Sequence, residues 1–357
     1  MNILCIHCGA HHWFDERLKN GPVSSPCFSY CCHNGKVILK HLPDPPDNLR
    51  SLLTAQTTRV KRFRENIHQY NSTLAFTSFT AKEKHDNSTG GGPWVWKSGY
   101  TIYHRAGSLS KMQDNPKYAQ LYFYDPAEAL DYRMNRNKDL NRNIMESLQN
   151  ILVQTNRYKD LFLHAFKILE HTPSRDLSIR ILADPSTDLR HYNLPTLDEI
   201  AIILPGNQMD PLNPHDIILH QREGDLQFIH DQHRAYAPLH YVLLFPYGTD
   251  GWTYSLPLNA NTDTTTNNNE TPENEKHITQ VQFYSYRLHT RQDEFPILQC
   301  GGHLYQQYIC NMWVSTDQNH LRWVETHQPQ LHVALFSGLE DSVIHGEGDV
   351  DCYRLLG

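Results

Sequence analysis

Cys5-Ile6-His7-Cys8-Gly9-Ala10-His11-His12, answered further on by Cys31-Cys32-His33, is the stretch on which the reading of this chain turns. Thiolates and imidazoles are the donors zinc selects, and zinc takes four of them in a tetrahedron. The Cys5–Cys8 spacing supplies two. The second half of the set is an adjacent pair, which two ligand bonds can use only at the cost of backbone strain. The expected ligands are Cys5, Cys8, Cys31 and Cys32, with His12 as the substitute, while Cys27 reads as a packing residue. Two readings stand beside structural zinc: a reduced thiol cluster without metal, and redox chemistry. Five of the eight cysteines (Cys5, Cys8, Cys27, Cys31, Cys32) fall in this head, and the start of the chain has neither a basic n-region nor an apolar run of signal-peptide length. That combination favours metal binding over a disulfide framework and predicts an intracellular rather than secreted protein.

Working outward, Pro43-Asp44-Pro45-Pro46 closes the head as a small Cys/His-rich module over residues 1–46. From Leu49 to about Phe79, apolar residues recur near helical spacing with Arg50, Arg59, Lys61, Arg62 and Arg64 between them, which predicts one basic amphipathic helix. Ser98-Gly99 between the aromatic runs 94–97 and 100–104 predicts a hairpin, Tyr118–Tyr124 reads as a buried strand, and residues 126–170 read as mostly helical behind Asp125-Pro126. Leu177–Leu182 alternates at period two, and residues 216–229 carry a second hairpin signal turning at Glu223-Gly224-Asp225. Residues 259–280 are a polar linker built on an Asn/Thr/Glu tract, and residues 279–291 and 304–325 have helical length and spacing. The fold class is therefore α+β: the zinc-binding head (1–46), a mixed region with hairpins and helices (47–258), the linker (259–280) and a helical C-terminal segment (281–357). The last residues carry a Gly/Asp-rich loop and no terminal element, so a truncated end is expected.

A chain of 357 residues is long enough for two or three units, and 39% hydrophobic residues suit a folded globular protein. The formal net charge of −7 excludes a uniformly basic nucleic-acid coat but not a local basic stripe. Arg59, Lys61, Arg62 and Arg64 are the best such stripe, with Trp94 and Trp96 as faces on which bases can stack; the plain alternative is a solvated helix face packed on aromatic core residues. His230-Asp231-Gln232-His233 invites a metal-ligand reading, against that of a loop with surface histidines, since no third ligand lies at a recognisable spacing. There is no nucleophile elbow, and Gly35-Lys36 lacks the upstream glycine of a P-loop. No window approaches the roughly 18 apolar residues of a membrane span, and no small-molecule substrate is indicated.

Taken in order, these segments resemble a known family. Cys5-x-x-Cys8-Gly9, Trp13 and Glu16-Arg17-Leu18 are followed by Phe28-Ser29-x-Cys31-Cys32-x-x-Gly35-Lys36-Val37 and Phe63-Arg64-Glu65-Asn66-Ile67. Then come Gly90-Gly91-Gly92-Pro93, Tyr192-Asn193-Leu194-Pro195-Thr196, Leu243-Leu244-Phe245-Pro246-Tyr247-Gly248, Tyr284-x-Tyr286-Arg287-Leu288 and Gln306-Gln307-Tyr308. This order is similar to the N-terminal part of Helitron transposon replicase-helicases. The resemblance implies a rolling-circle transposase in which a replication-initiator nuclease precedes a helicase, a nuclear location and single-stranded DNA as partner. It also implies a tyrosine nucleophile served by a metal on a His-hydrophobe-His motif. None of the 23 histidines of this chain is separated from another by a single residue, so that motif is not carried over and no catalytic residue is named. The implied function is a DNA-binding, zinc-containing segment without catalysis of its own. The alternatives are a divergent metal-dependent single-stranded DNA nuclease using His230 and His233, and a domesticated zinc-containing interaction module.

Overall fold

The computed structural model describes residues 2–19, 23–80, 103–106, 116–171, 177–181, 201–205, 217–220, 227–259 and 277–328. In the head, Ile3–Leu4 (β1) and His11–His12 (β2) pair antiparallel across the turn that carries Cys5 and Cys8. The single basic helix expected over 49–79 is three helices, Asp47–Thr54 (α1), Thr58–Glu65 (α2) and Ile67–Leu74 (α3), followed by Ser78–Thr80 (β3). The interruptions are local. Thr57 is extended and its hydroxyl accepts the Val60 amide at 3.4 Å, which opens α2, and the Asn66 side-chain amide donates to the Arg62 carbonyl at 2.9 Å, which closes it.

Tyr103–Ala106 (β4) comes next, and then the run expected as a buried strand, which is a 3-10 turn over Tyr118–Tyr122. Its residues Ala119 to Tyr124 are all buried. A segment covered on every side has no alternation with which to announce its backbone, and the Gln120 side chain settles the turn by accepting the Lys117 amide at 3.0 Å. Helices Pro126–Arg136 (α4), Arg142–Thr155 (α5) and Arg157–His171 (α6) fill the helical stretch, with Asp125 and Asn141 accepting the Ala127 and Ile144 amides as N-caps.

Leu177–Ile181 (β5), Ala201–Pro205 (β6) and Ile217–His220 (β7) form one antiparallel sheet in the order β6-β5-β7, and Gln227–Ile229 (β8) joins the other, β3-β4-β8. The two arms expected as one hairpin over 216–229 thus enter different sheets. Each takes partners from far along the chain, Ile179 opposite Leu219 in one and His104 opposite Ile229 in the other. The turn at 223–225 and the hairpin tip at Ser98-Gly99 lie outside the described residues. Tyr236–His240 (α7), Gln280–Leu288 (α8), Ile297–Cys300 (α9) and His303–Thr326 (α10) complete the order, α8 opening on a capping box between Thr279 and Gln282. The ends of the polar tract meet, since the Ile278 amide donates to the Leu256 carbonyl at 2.7 Å and Pro257 bridges His277. The fold is mixed α and β, and no described helix is long and apolar enough to cross a membrane.

The chain divides into two compact units, Met1–Asn311 and Met312–Gly357, the boundary falling within α10. In the second unit the described turns of α10 expose Trp313, Leu321, Trp323 and Val324. In the first, Phe76 stacks on Tyr122 at 4.6 Å and on Phe162 at 5.5 Å, joining α3, the 3-10 turn and α6. The apolar stretch 238–246 is stitched to this core through Asn71, whose side-chain amide donates to the His240 carbonyl at 2.8 Å and accepts from the Leu243 amide at 3.2 Å. At its end Gly248 takes φ +70°, and a Cβ there would lie 2.8 Å from the Tyr158 ring, itself fully buried beside the Arg157–Asp250 ion pair. Gly248→Ala is therefore expected to cost about 2–4 kcal/mol, combining left-handed strain with overpacking. Urea unfolding checks this, and a loss under about 0.5 kcal/mol, the range of an ordinary surface change, would count against it.

Candidate metal centre and basic face

The β1–β2 connection and the turn after Phe28 bring four sulfurs together. The ligand atoms of Cys5, Cys8, Cys31 and Cys32 all lie within 4.8 Å of one another, and among the described residues no other His, Cys, Asp or Glu set gathers in this way. Cys5 Sγ is 3.7 Å from Cys32 Sγ, and Cys31 Sγ is 3.9 Å from Cys32 Sγ. These separations are far beyond the roughly 2.05 Å of a disulfide. They match the edge of a tetrahedron of sulfurs about 2.3 Å from a central ion, which is about 3.8 Å.

Backbone geometry favours thiolates here. The amides of His7, Ala10 and Gly35 are directed at Cys5, Cys8 and Cys32, the last at 3.3 Å from the sulfur. Hydrogen bonding from Cys31 and Cys32 holds Cys5 far below the usual thiol range and brings Cys8 down to about 7, while Cys31 is pushed up by Cys32, Cys5 and Cys8. Four sulfurs at this spacing cannot all ionise against one another, and a cation among them removes the conflict. The backbone immediately after the adjacent Cys31-Cys32 pair is left-handed. His33, Asn34 and Gly35 take φ +47°, +55° and +85° in succession, a left-handed run that costs about 1–2 kcal/mol at a residue such as His33.

His12 is not among these four mutually close ligand atoms. It is buried, its Nδ1 lies 2.6 Å from Glu16 Oε2, and its ring stacks on Phe28 at 4.0 Å. Cys27 is likewise outside the group, its thiol directed at the Ser25 carbonyl. The donor set of the centre is thus all sulfur, which suits zinc and other thiophilic ions and excludes the hard, oxygen-seeking ones.

Of the basic residues, Arg59, Lys61 and Arg62 are exposed on α2, whose other face buries Val60 and Phe63. Arg64 is half-buried and donates to the Leu53 carbonyl at 3.3 Å, so part of its role is to tie α2 to α1. Lys61 and Arg64 also line a cavity of about 340 Å³ with Glu65, Gly302, His303 and Gln306. Trp94 and Trp96 lie outside the described residues.

His230, Asp231 and His233 form no metal-holding group among the described residues. His230 Nδ1 lies 3.2 Å from Asp231 Oδ1, and His233 Nδ1 accepts the Ala235 amide at 2.9 Å. The two rings order the turn that leads into α7. Sequence reasoning passed over Arg291, whose Nη2 reaches Cys8 Sγ at 3.9 Å although the two lie 283 residues apart in sequence. Its only local signal is its place four residues after Arg287 and three before Glu294.

With this geometry in place, comparison with known families is informative for one segment. Residues 283–357 match the model of the Helitron helicase-like domain at the N-terminus. No curated protein matches the chain.

Proposed function

Because residues 283–357 match the model of the Helitron helicase-like domain, we propose that this chain is a DNA-binding segment of a Helitron-type protein, acting by binding rather than by chemistry of its own. Its partner is single-stranded DNA, its location the nucleus, and its Cys head is held by structural zinc at Cys5, Cys8, Cys31 and Cys32.

The observation that carries the binding reading is the exposed cationic face of α2. Arg59, Lys61 and Arg62 are exposed and, among the described residues, in no ion pair, while the helix beneath them is anchored by Val60 and Phe63. In a chain of net charge −7, three exposed cations on one helix that form no ion pair among the described residues are suited to the evenly spaced charges of a phosphate backbone. The cavity beside them, with Lys61, Arg64 and His303 on its walls, extends the same face.

Fluorescence anisotropy with a labelled oligothymidylate across a salt series tests the reading. Each phosphate contact on a single strand contributes about 0.7 to the slope of log K against log salt, so the triple variant R59A/K61A/R62A is expected to flatten the slope by about 2. Binding that is absent even at about 50 mM salt ends the DNA-binding reading. An unchanged slope in the variant shows that α2 is an ordinary solvated helix.

A further inference from the structure

Arg291 presents an electrostatic imbalance that its own surroundings leave unresolved. Its side chain is 3% exposed, and its guanidinium lies over the Tyr286 ring at 3.5 Å from the centroid. Nη1 donates to the Tyr286 carbonyl at 2.9 Å and the His289 carbonyl at 3.0 Å, while Nε is buried without a partner. The neighbouring carboxylate is Glu294, at 4.0 Å. That carboxylate is already engaged: it accepts the Leu42 amide at 2.8 Å and lies 3.9 Å from Arg287, a second buried guanidinium. One carboxylate thus faces two buried cations. An uncompensated charge in such surroundings costs several kcal/mol in round terms, so a further anion is called for.

Among the described residues, the remaining side-chain hydrogen-bond partner of Arg291 is a sulfur. Nη2 reaches Cys8 Sγ at 3.9 Å, and the contact is held in register by backbone, since the His11 amide donates to the Thr290 carbonyl at 2.9 Å and Ala10 bridges Arg291. A divalent ion bound by four thiolates carries a net charge of −2. The cation in excess and the anion in excess therefore meet at this contact.

Resting on the reading of the four cysteines as a metal centre, we propose that Arg291 is the counter-cation of that centre, so that metal affinity at Cys5, Cys8, Cys31 and Cys32 depends on a side chain supplied from beyond the polar tract. The centre is then a clasp that joins the first residues of the chain to the segment carrying α8. Arg291 is a positioning and charge-balancing residue: it ligates nothing itself. Outer partners of this kind typically change metal affinity 10–100-fold.

The test uses the full chain loaded with Co²⁺ in place of zinc, whose sulfur-to-metal charge-transfer absorption reports thiolate ligation, with affinities from chelator competition. R291Q keeps a hydrogen-bond donor for the α8 carbonyls but removes the charge, and is expected to weaken metal binding about 10–100-fold while α8 stays helical. R291K restores the charge and is expected to recover part of the loss, which a role confined to capping α8 would not produce. Wild-type affinity in R291Q overturns the proposal. A wild-type chain that gives no thiolate-to-cobalt band overturns instead the metal reading beneath it. Should R291Q fail to fold, hydrogen exchange on the wild-type protein decides: chelation must deprotect Gln280–Leu288 along with residues 5–12, and unchanged protection of Gln280–Leu288 overturns the coupling.

Discussion

On the proposal that the four sulfurs hold a metal, treatment with a strong chelator is expected to unfold the head over residues 2–42 while α1 to α6 keep their helical signal. The reason is the composition of the head. Its large apolar side chains are more often exposed, as at Ile6, Trp13, Val23 and Tyr30, than buried, as at Phe28, Val37, Leu39 and Leu42. A module with so small a core depends on a staple. Structural zinc in small modules supplies roughly 10–16 kcal/mol of apparent binding energy at neutral pH, comparable with the whole stability of an ordinary domain. Cys32→Ser removes a ligand together with the sulfur that accepts the Gly35 amide, and is expected to reproduce the effect of chelation without a chelator. Metal content by mass spectrometry, paired with limited proteolysis of residues 2–42, reads both outcomes. A purified chain that carries no metal and whose head resists protease equally before and after chelation would show that the sulfurs form a reduced thiol cluster.

The cysteine spacing made the clustering of the four sulfurs legible because ligand chemistry admits few residue types and the four positions lie in one short stretch. A helix start was equally legible where a capping residue names it, as at Asp125-Pro126. One failure is local, the helix expected over 49–79 being broken by the Thr57 and Asn66 caps, and in the others the deciding contact is remote. Ile217–His220 and Gln227–Ile229 are close in sequence, yet each finds a distant strand. Tyr118–Tyr122 is enclosed by the aromatic core, so its own sequence carries no period. Arg291 meets Cys8 across almost the whole first unit, and no local pattern marks an arginine as the partner of a sulfur. His12 has the right chemistry and the right neighbourhood in sequence, yet it is not among the four mutually close ligand atoms, and its Nδ1 is engaged by Glu16.

The same remoteness governs the polar interior of the first unit, where acid is expected to act. His104 on β4 and His240 at the end of α7 are buried with their rings 4.6 Å apart. As a neutral ring His104 is fully matched: Nδ1 donates to the Tyr236 carbonyl at 3.0 Å and Nε2 accepts from the Asn311 amide at 3.0 Å. Asn311 in turn accepts the Tyr236 hydroxyl at 2.9 Å and donates to the Tyr241 hydroxyl at 3.0 Å. A proton on Nε2 would set one N–H against another. Burial holds His104 well below its ordinary range, with His240 adding to the effect, and burial brings His240 down to about 4 against the opposing pull of the Thr77 carbonyl.

Between the unfolded value near 6.5 and this folded value, the unfolded chain binds more protons than the native one, so stability falls as pH falls. The loss begins near pH 6.5, continues to about pH 4 and then levels off. For His240 alone the difference of 6.5 − 4 is worth about 3 kcal/mol at 1.36 kcal/mol per unit, and His104 adds in the same direction. The check is urea unfolding near neutrality and near pH 4.5, for wild type and for His240→Asn, an uncharged replacement that keeps a donor for the Thr77 carbonyl. Carboxylates elsewhere contribute equally to both proteins, so the expected result is a wild type that loses about 2–3 kcal/mol more than the variant on acidification. Equal losses would mean that His240 takes up its proton in the folded state as readily as in the unfolded chain, and the neutral, matched interior described above would have to be abandoned.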